Sequence, residues 1–157
     1  MALRYEALDS DLVRRLRAGG PDANGQPPER GAISDGHGVP CRHCLRDVPE
    51  GAEYLILAHR PFPRPQPYAE VGPIFLCAQD CEAWAGAGVP PILTTSRDYL
   101  LKGYGADDRI RYGTGRVVPR DEVVVYAEAL LDDHEVAYVD VRSARNNCFQ
   151  LRIRRAT

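Results

Sequence analysis

The sequence contains two close pairs of cysteines, which are Cys41 with Cys44 and Cys77 with Cys81. Zinc in a closed structural site is held by four ligands at tetrahedral corners, with each sulfur about 2.3 Å from the ion. A C-x-x-C turn supplies two thiolates because its intervening residues fold the backbone around the metal. We therefore predict a structural zinc site with these four cysteines as its ligands.

Other chemistry is also open to clustered thiols. Iron or an iron–sulfur cluster takes four cysteine ligands too, although zinc is the usual occupant of closed structural sites. The pairs could instead form a redox-active dithiol, or the thiols could be inert buried side chains. His43, inside the first pair, is expected to lie beside the metal site or on the surface and not to bind the metal. A metal with four protein ligands has no open position for water, so any catalysis would occur elsewhere.

The composition is that of an ordinary globular domain. The chain has 157 residues, a formal net charge of -2 and a pI near 6.1, so its average surface does not attract phosphate. Nucleic acid is therefore a disfavoured partner. No apolar run reaches the roughly 18 to 20 residues of a membrane span, and the first residues lack a signal-peptide pattern. We expect one cytoplasmic domain over residues 1–157, in a compartment where cysteines are typically metal ligands or free thiols.

The predicted elements indicate an α+β fold. Short runs in which apolar residues cluster or alternate predict strands, at residues 3–8, 54–59, 71–77, 99–104, 109–112, 136–141 and 149–153. Helical spacing and capping residues predict helices, at residues 10–17, 82–87 and 119–131. Residues 19–40 show no periodicity and are expected to form a long loop rich in glycine and proline. Because strands and helices intermix without regular βαβ alternation, we predict a mostly antiparallel sheet with a few helices.

The predicted order of elements over residues 41–87 is typical of a treble-clef zinc motif. A C-x-x-C turn comes first, two strands joined by the proline-rich segment 61–67 follow, and a short helix begins after Cys81. The positive end of that helix would help to hold the charge of the thiolates. We therefore expect residues 41–87 to form a zinc-stabilised, treble-clef-like segment.

Three strings in the chain resemble a known family. They are PCRHCL at residues 40–45, PYAEVGPIFL at residues 67–76 and SARNNCF at residues 143–149. Together they resemble a bacterial family known as domain of unknown function 1203, over most of the chain. Members of that family often carry histidine at the position of Cys77, and an exchange of cysteine for histidine is what a zinc position tolerates. The resemblance thus favours a metal site and implies no activity.

The resemblance also draws attention to a second, polar region in the second and third strings. An arginine can bind a carboxylate or phosphate through two parallel N–H groups, and Glu70 could orient an arginine or act as a base. Solvated or structurally paired loop residues would give the same pattern. The residues predicted to line a pocket for a small anionic molecule are Arg60, Tyr68, Glu70, Arg142, Ser143, Arg145 and Asn146.

Functions of different classes fit these features. The first is a binding or interaction module, with structural zinc, for a small anionic ligand or a protein partner. The second is a small-molecule enzyme that uses the polar pocket while the zinc is only structural. A thiol redox protein is a third possibility, and a nucleic-acid binder is opposed by the acidic pI. The fifth cysteine, Cys148, is either a small apolar side chain or a nucleophile.

Overall fold

The structure is a computed structural model that describes residues 1–157. The chain divides into two units, each with its own antiparallel sheet. Unit 1 comprises Met1–Glu6, Phe62–Glu70 and Ser96–Thr157. Unit 2 comprises Ala7–Pro61 and Val71–Thr95. The strands are β1 (Leu3–Glu6), β2 (Glu29–Ile33), β3 (Glu53–His59), β4 (Gly72–Cys77), β5 (Asp98–Tyr104), β6 (Arg116–Pro119), β7 (Tyr138–Ser143) and β8 (Phe149–Arg155). The helices are α1 (Ser10–Arg17) and α2 (Val123–Leu131), with single 3-10 turns at Pro91–Leu93 and Arg120–Glu122. The predicted α+β class, mainly antiparallel, is confirmed.

Unit 2 contains a three-stranded sheet in the order β2-β3-β4, together with α1. The side chain of Asp9 caps α1 by accepting a 3.0 Å hydrogen bond from the N–H of Leu12. Val13 and Leu16 form the buried face of this helix. β3 and β4 form the predicted antiparallel pair, in a register that sets Tyr54 opposite Cys77. The last residue of β4 is thus a cysteine of the predicted metal site.

Unit 1 contains a five-stranded sheet in the order β1-β8-β7-β5-β6, with α2 packed against it. Side chains alternate between the two faces of a strand, so Val139 and Val141 point to one face and Tyr138, Asp140 and Arg142 point to the other. Val141 lies opposite Leu101 and Leu151 on the neighbouring strands, and all are fully buried. These residues form the apolar core of unit 1.

The other face of the same sheet is polar and aromatic. It carries Tyr138, Asp140 and Arg142 on β7, with Tyr104 opposite Tyr138 on β5. Segment Phe62–Glu70 lies against this face, since Phe62 packs with both tyrosines. A charged surface is thereby enclosed within unit 1.

Two predictions about strands are wrong. Glu29–Ile33, inside the predicted loop of residues 19–40, is an edge strand that pairs with β3. It is exposed at most positions, so its sequence has no buried face that would give alternation. Residues 109–112 do not form a strand and contribute only a bridge between Ile110 and Tyr104, whereas β6 pairs with β5 in their place. Neither α1 nor α2 has the length and apolar character that crossing a membrane would require.

Candidate metal centre

The first pair of cysteines lies in a tight turn of unit 2, over residues 39–48. The N–H of Val48 donates to the carbonyl of Val39 at 2.8 Å, and the N–H of Cys41 donates to the carbonyl of Arg46 at 2.8 Å. The N–H of Leu45 then donates to the carbonyl of Cys41 at 2.9 Å, with Leu45 at a positive φ of 57°. These bonds close the C-x-x-C turn and direct Cys41 and Cys44 to the same side.

Strand β4 brings the second pair to this turn. The N–H of Arg42 donates to the carbonyl of Phe75 at 3.1 Å, which fixes the turn against β4. The N–H of Cys77, at the end of that strand, donates to the sulfur of Cys41 at 3.3 Å. The short segment from Cys77 to Cys81 then returns the last sulfur to the group.

The four sulfur atoms converge to the dimensions of a tetrahedral metal site. All four lie within 4.8 Å of one another, and the sulfurs of Cys41 and Cys81 are 3.9 Å apart. A tetrahedron with a metal–sulfur distance of about 2.3 Å has edges of about 3.8 Å. A disulfide would need about 2.05 Å, and all five cysteines of the chain are free thiols. The four predicted ligands therefore form a group that can hold a metal ion.

Two further side chains contact the sulfur of Cys81. The Nη2 of Arg17 donates to its sulfur at 3.0 Å, while the Nε of Arg17 donates to the carbonyl of Cys77 at 2.9 Å. The Nδ1 of His43 lies 3.2 Å from the same sulfur, and its Nε2 lies 2.8 Å from the hydroxyl of Ser10. His43 is thus beside the sulfur group and outside it, as predicted. The role of Arg17 was not predicted, because nothing local in the sequence relates a residue of α1 to Cys81.

Hydrogen bonds among the thiols separate their pKa values. The hydrogen bond with Cys44 is the main cause that lowers the pKa of Cys41 to about 6. Hydrogen bonds with Cys41 and the other thiols lower the pKa of Cys81 far below that of a free thiol. The shared protons raise the pKa values of Cys44 and Cys77, in both cases chiefly through Cys41. Without a metal, Cys41 and Cys81 therefore carry the thiolate charge, and Cys44 and Cys77 hold the protons that a bound cation would displace.

The helix predicted at residues 82–87 is absent, so the treble-clef-like order lacks its last element. The N–H of Trp84 donates to the carbonyl of His43 at 2.9 Å, which ties this segment to the C-x-x-C turn. Gly86 and Gly88 disfavour a helix here, and so short a helix is marginal on its own. The thiolates are consequently stabilised by Arg17 and by the N–H of Cys77, where a helix dipole was expected.

A cavity of about 660 Å³ opens beside the cysteines in unit 2. Trp84, the only tryptophan of the chain, lines it together with three of the four cysteines. Arg46 also lines it and stacks over the Trp84 ring, with 5.5 Å from its guanidinium carbon to the ring centre. The carboxylates in its wall are Asp47, Glu53, Asp80 and Glu82. This cavity is thus predominantly acidic.

Two of the residues predicted to line a polar pocket are in contact within unit 1. Glu70 and Arg142 meet, with 3.2 Å between Oε2 and Nη1. Lys102 donates to the other oxygen of Glu70 at 3.2 Å, and the side-chain amide of Asn147 donates to Oε2 at 3.1 Å. Lys102 and Asn147 were not predicted, since only the packing of Phe62–Glu70 on the sheet reveals them.

The other predicted residues have different partners. Arg145 makes a bidentate ion pair with Asp98, at 2.9 and 3.2 Å. The hydroxyl of Tyr68 lies 2.7 Å from that of Tyr112, and the hydroxyl of Ser143 accepts from the N–H of Cys148 at 3.0 Å. Asn146 lies exposed in the turn between β7 and β8, and Arg60 belongs to unit 2. Their predicted contact with a ligand stays a prediction.

Burial and neighbouring charges set the protonation states on this polar face. Burial raises the pKa of Glu70, but the charges of Arg142 and Lys102 outweigh it and leave the pKa below its usual value. Burial raises the pKa of Tyr104 to about 12 and also raises that of Asp140. Glu70 is thus an ion-paired carboxylate, and Tyr104 is a neutral hydroxyl.

Comparison with known proteins yields one match. The model of the family described as protein of unknown function DUF1203 matches residues 38–155, which is well over half of the chain. The matched range contains all four cysteines and the Glu70–Arg142 pair. No curated protein and no solved structure matches the chain significantly.

Proposed function

We propose that this chain, which belongs to the DUF1203 family of proteins of unknown function, is a zinc-stabilised binding module for a small anionic ligand. The observation that carries the metal part is the convergence of four cysteine sulfurs within 4.8 Å. Four thiolates with tetrahedral spacing are the ligand set of structural zinc, and they leave no coordination position for a substrate. The zinc would stabilise the fold and take no part in a reaction.

The surroundings of the sulfurs support a tetrathiolate site. Zinc with four thiolates carries a net charge of about −2, which hydrogen-bond donors and cations offset. Arg17 supplies a positive charge at Cys81, and the N–H of Cys77 donates to Cys41. Redox chemistry is less well supported, because a dithiol mechanism needs one pair of sulfurs whereas four converge here.

Cobalt substitution tests the ligand set directly. Protein reconstituted with Co²⁺ should show the intense visible absorption of a tetrahedral site with four thiolate ligands. His43→Ala should leave that spectrum unchanged, because the Nδ1 of His43 faces a sulfur and is not placed as a ligand. A spectrum of octahedral cobalt, or one that changes in His43→Ala, would contradict the proposed ligand set.

The ligand part of the proposal rests on the polar face of unit 1. Arg142 is 3% exposed and lies on a strand buried along most of its length. A buried cation is costly unless its charge is balanced, and Arg142 shares its carboxylate partner, Glu70, with Lys102, so a bound anion would complete the balance. The enzyme alternative, with Glu70 as a base, is less well supported. That carboxylate is held by Arg142, Lys102 and Asn147, and its pKa is lowered.

One observation favours a protein partner as a second candidate. The cavity beside the cysteines is walled by four carboxylates and one arginine, which suits a cationic segment of another protein. Trp84 in its wall reports occupancy through its fluorescence. An arginine-rich peptide should change that fluorescence saturably, and an acidic peptide of equal length should not. Equal responses to both peptides would remove this candidate.

A further inference from the structure

One edge of the Arg142 guanidinium, formed by Nε and Nη2, makes no hydrogen bond inside unit 1. Its Nε and Nη2 are buried and have no hydrogen-bond partner, and the nearby hydroxyl of Tyr104 is likewise buried without one. We infer that this edge binds the carboxylate of a small monoanionic ligand, with the hydroxyl of Tyr104 as an additional donor. The inference rests on the proposed binding function and specifies its site and ligand class.

The free edge has the geometry that a carboxylate requires. Nη1 of Arg142 is occupied, since it donates to the carbonyl of Asn147 at 3.2 Å and pairs with Glu70 at 3.2 Å. The remaining Nε–H and Nη2–H of a guanidinium point the same way and match the two oxygens of a carboxylate. The corresponding edge of Arg152 on β8 does bind a carboxylate, because its Nε and Nη2 donate to the two oxygens of Asp140 at 2.7 and 3.0 Å. Arg142 has the same edge with no carboxylate of the chain opposite it.

Donors without a hydrogen-bond partner are unusual in a protein interior, and Arg142 is buried. Buried polar atoms nearly always have hydrogen bonds, and an exception calls for a bound group or ordered water. Here the unpartnered atoms belong to two residues with 3% and 0% exposure. Burial raises the pKa of Tyr104 and the neighbouring Arg142 side chain opposes that rise, so the hydroxyl and the guanidinium lie close together. The three unpartnered atoms therefore belong to one site.

The charges on this face indicate a ligand of charge −1. Glu70 is the one carboxylate that faces both Arg142 and Lys102, at 3.2 Å each, because Asp140 is paired with Arg152. One positive charge of this group of three is therefore unmatched. A carboxylate would neutralise it, whereas a doubly charged phosphate would be repelled by Glu70 and Asp140.

The backbone directs Arg142 to a position near the surface. The pairing of β7 with β8 shifts between Val141 and Arg142, so Gln150 is an extra residue in β8. Such bulges re-aim side chains and occur often beside binding sites. Both partners of Nη1 are accessible from solvent, because the side chain of Glu70 is 37% exposed and Asn147 lies in the exposed turn. Arg142 therefore lies beneath two residues that are accessible from solvent.

Acetate is the simplest probe of this site. We would titrate ¹⁵N-labelled protein with sodium acetate, with sodium phosphate at matched ionic strength as the comparison, and follow the arginine Nε–H signals by NMR. Acetate should shift one slowly exchanging signal saturably, and Arg142→Lys should abolish that signal and weaken acetate binding about tenfold or more. Tyr104→Phe should weaken binding roughly two- to tenfold. Arg116→Met removes an exposed arginine of the same unit and should bind acetate as the wild type does.

The outcomes separate this inference from the proposed function. If acetate stabilises the protein but binds Arg142→Lys as tightly as it binds the wild type, the protein binds anions elsewhere and the assignment to Arg142 is wrong. If phosphate binds at this signal more tightly than acetate, the ligand class is wrong. If no anion binds at all, the donors hold water and the proposed binding function fails as well. Should Arg142→Lys not fold, Tyr104→Phe tests the site, because it keeps the buried ring and removes only the hydroxyl. Acetate binding as tight as in the wild type would then contradict the inference.

Discussion

Replacing Cys44 by serine tests whether unit 2 depends on a metal held by the four sulfurs. Cys44 is 9% exposed and its sulfur belongs to the group that spans 4.8 Å, so the variant leaves three thiolates for the ion. Structural zinc contributes roughly 10–16 kcal/mol of apparent binding free energy at neutral pH. A whole domain is stable by only about 5–15 kcal/mol. Losing even a third of the metal's contribution, about 4 kcal/mol, would lower the melting temperature by roughly 8–16 °C.

The assay combines metal content, melting and local protection. Zinc in Cys44→Ser is measured with a chromophoric chelator, melting is followed by circular dichroism, and hydrogen exchange reports on the amide N–H of Leu45, which closes the C-x-x-C turn. Cys148→Ser is the matched control, since the sulfur of Cys148 lies outside the metal group and 3.7 Å from the carbonyl of Asn146. It should keep full metal content and normal melting. A Cys44→Ser protein with full metal content and normal melting would show that unit 2 does not depend on a metal held by the four sulfurs.

Three further substitutions test the surroundings of both sites. Glu70→Gln should lower the free energy of unfolding at neutral pH and have a smaller effect in acid. Burial raises the pKa of Glu70, but the charge of Arg142 outweighs it, so the folded-state pKa lies below the ordinary value of 4.5. The stabilisation by the carboxylate is therefore present above pH 4.5 and is lost as the pH falls through the folded-state pKa. Urea unfolding of wild type and variant across this range measures the difference, and a difference that grows on acidification would show the assigned pairing to be wrong. Asp140→Asn should cost about 3–5 kcal/mol in the same experiment, because it leaves the charge of Arg152 buried without its partner; a cost below about 1 kcal/mol would contradict this. His43→Ala should weaken zinc binding about 10- to 100-fold in chelator competition by removing the contact to a ligand sulfur, and unchanged affinity would exclude that role.

The cysteine group was accessible from the sequence because most of its geometry is local. The spacing of Cys41 and Cys44 determines a turn, and Cys77 ends an apolar run that reads as a strand. Arg17 was missed because its contact with Cys81 spans 64 residues of sequence. The helix expected after Cys81 fails to form because that segment bonds to the C-x-x-C turn.

The polar face was harder to predict, since it depends on how a loop lies on a sheet. The polar residues of the 67–76 and 143–149 strings identified Glu70 and Arg142, but not Lys102 or Asn147, whose contacts with Glu70 span 32 and 77 residues. Strand β2 was missed for a different reason. It is an exposed edge strand held by backbone hydrogen bonds, and such bonds leave no pattern of apolar side chains.

Elemental analysis of freshly purified protein, together with a count of free thiols, shows whether four of the five cysteines hold a metal. We expect about one zinc per chain and one readily titrated thiol, that of Cys148, because the other four would be held by the metal. Protein that contains no metal and whose cysteines react in pairs would contradict this expectation and would make thiol redox chemistry the leading function.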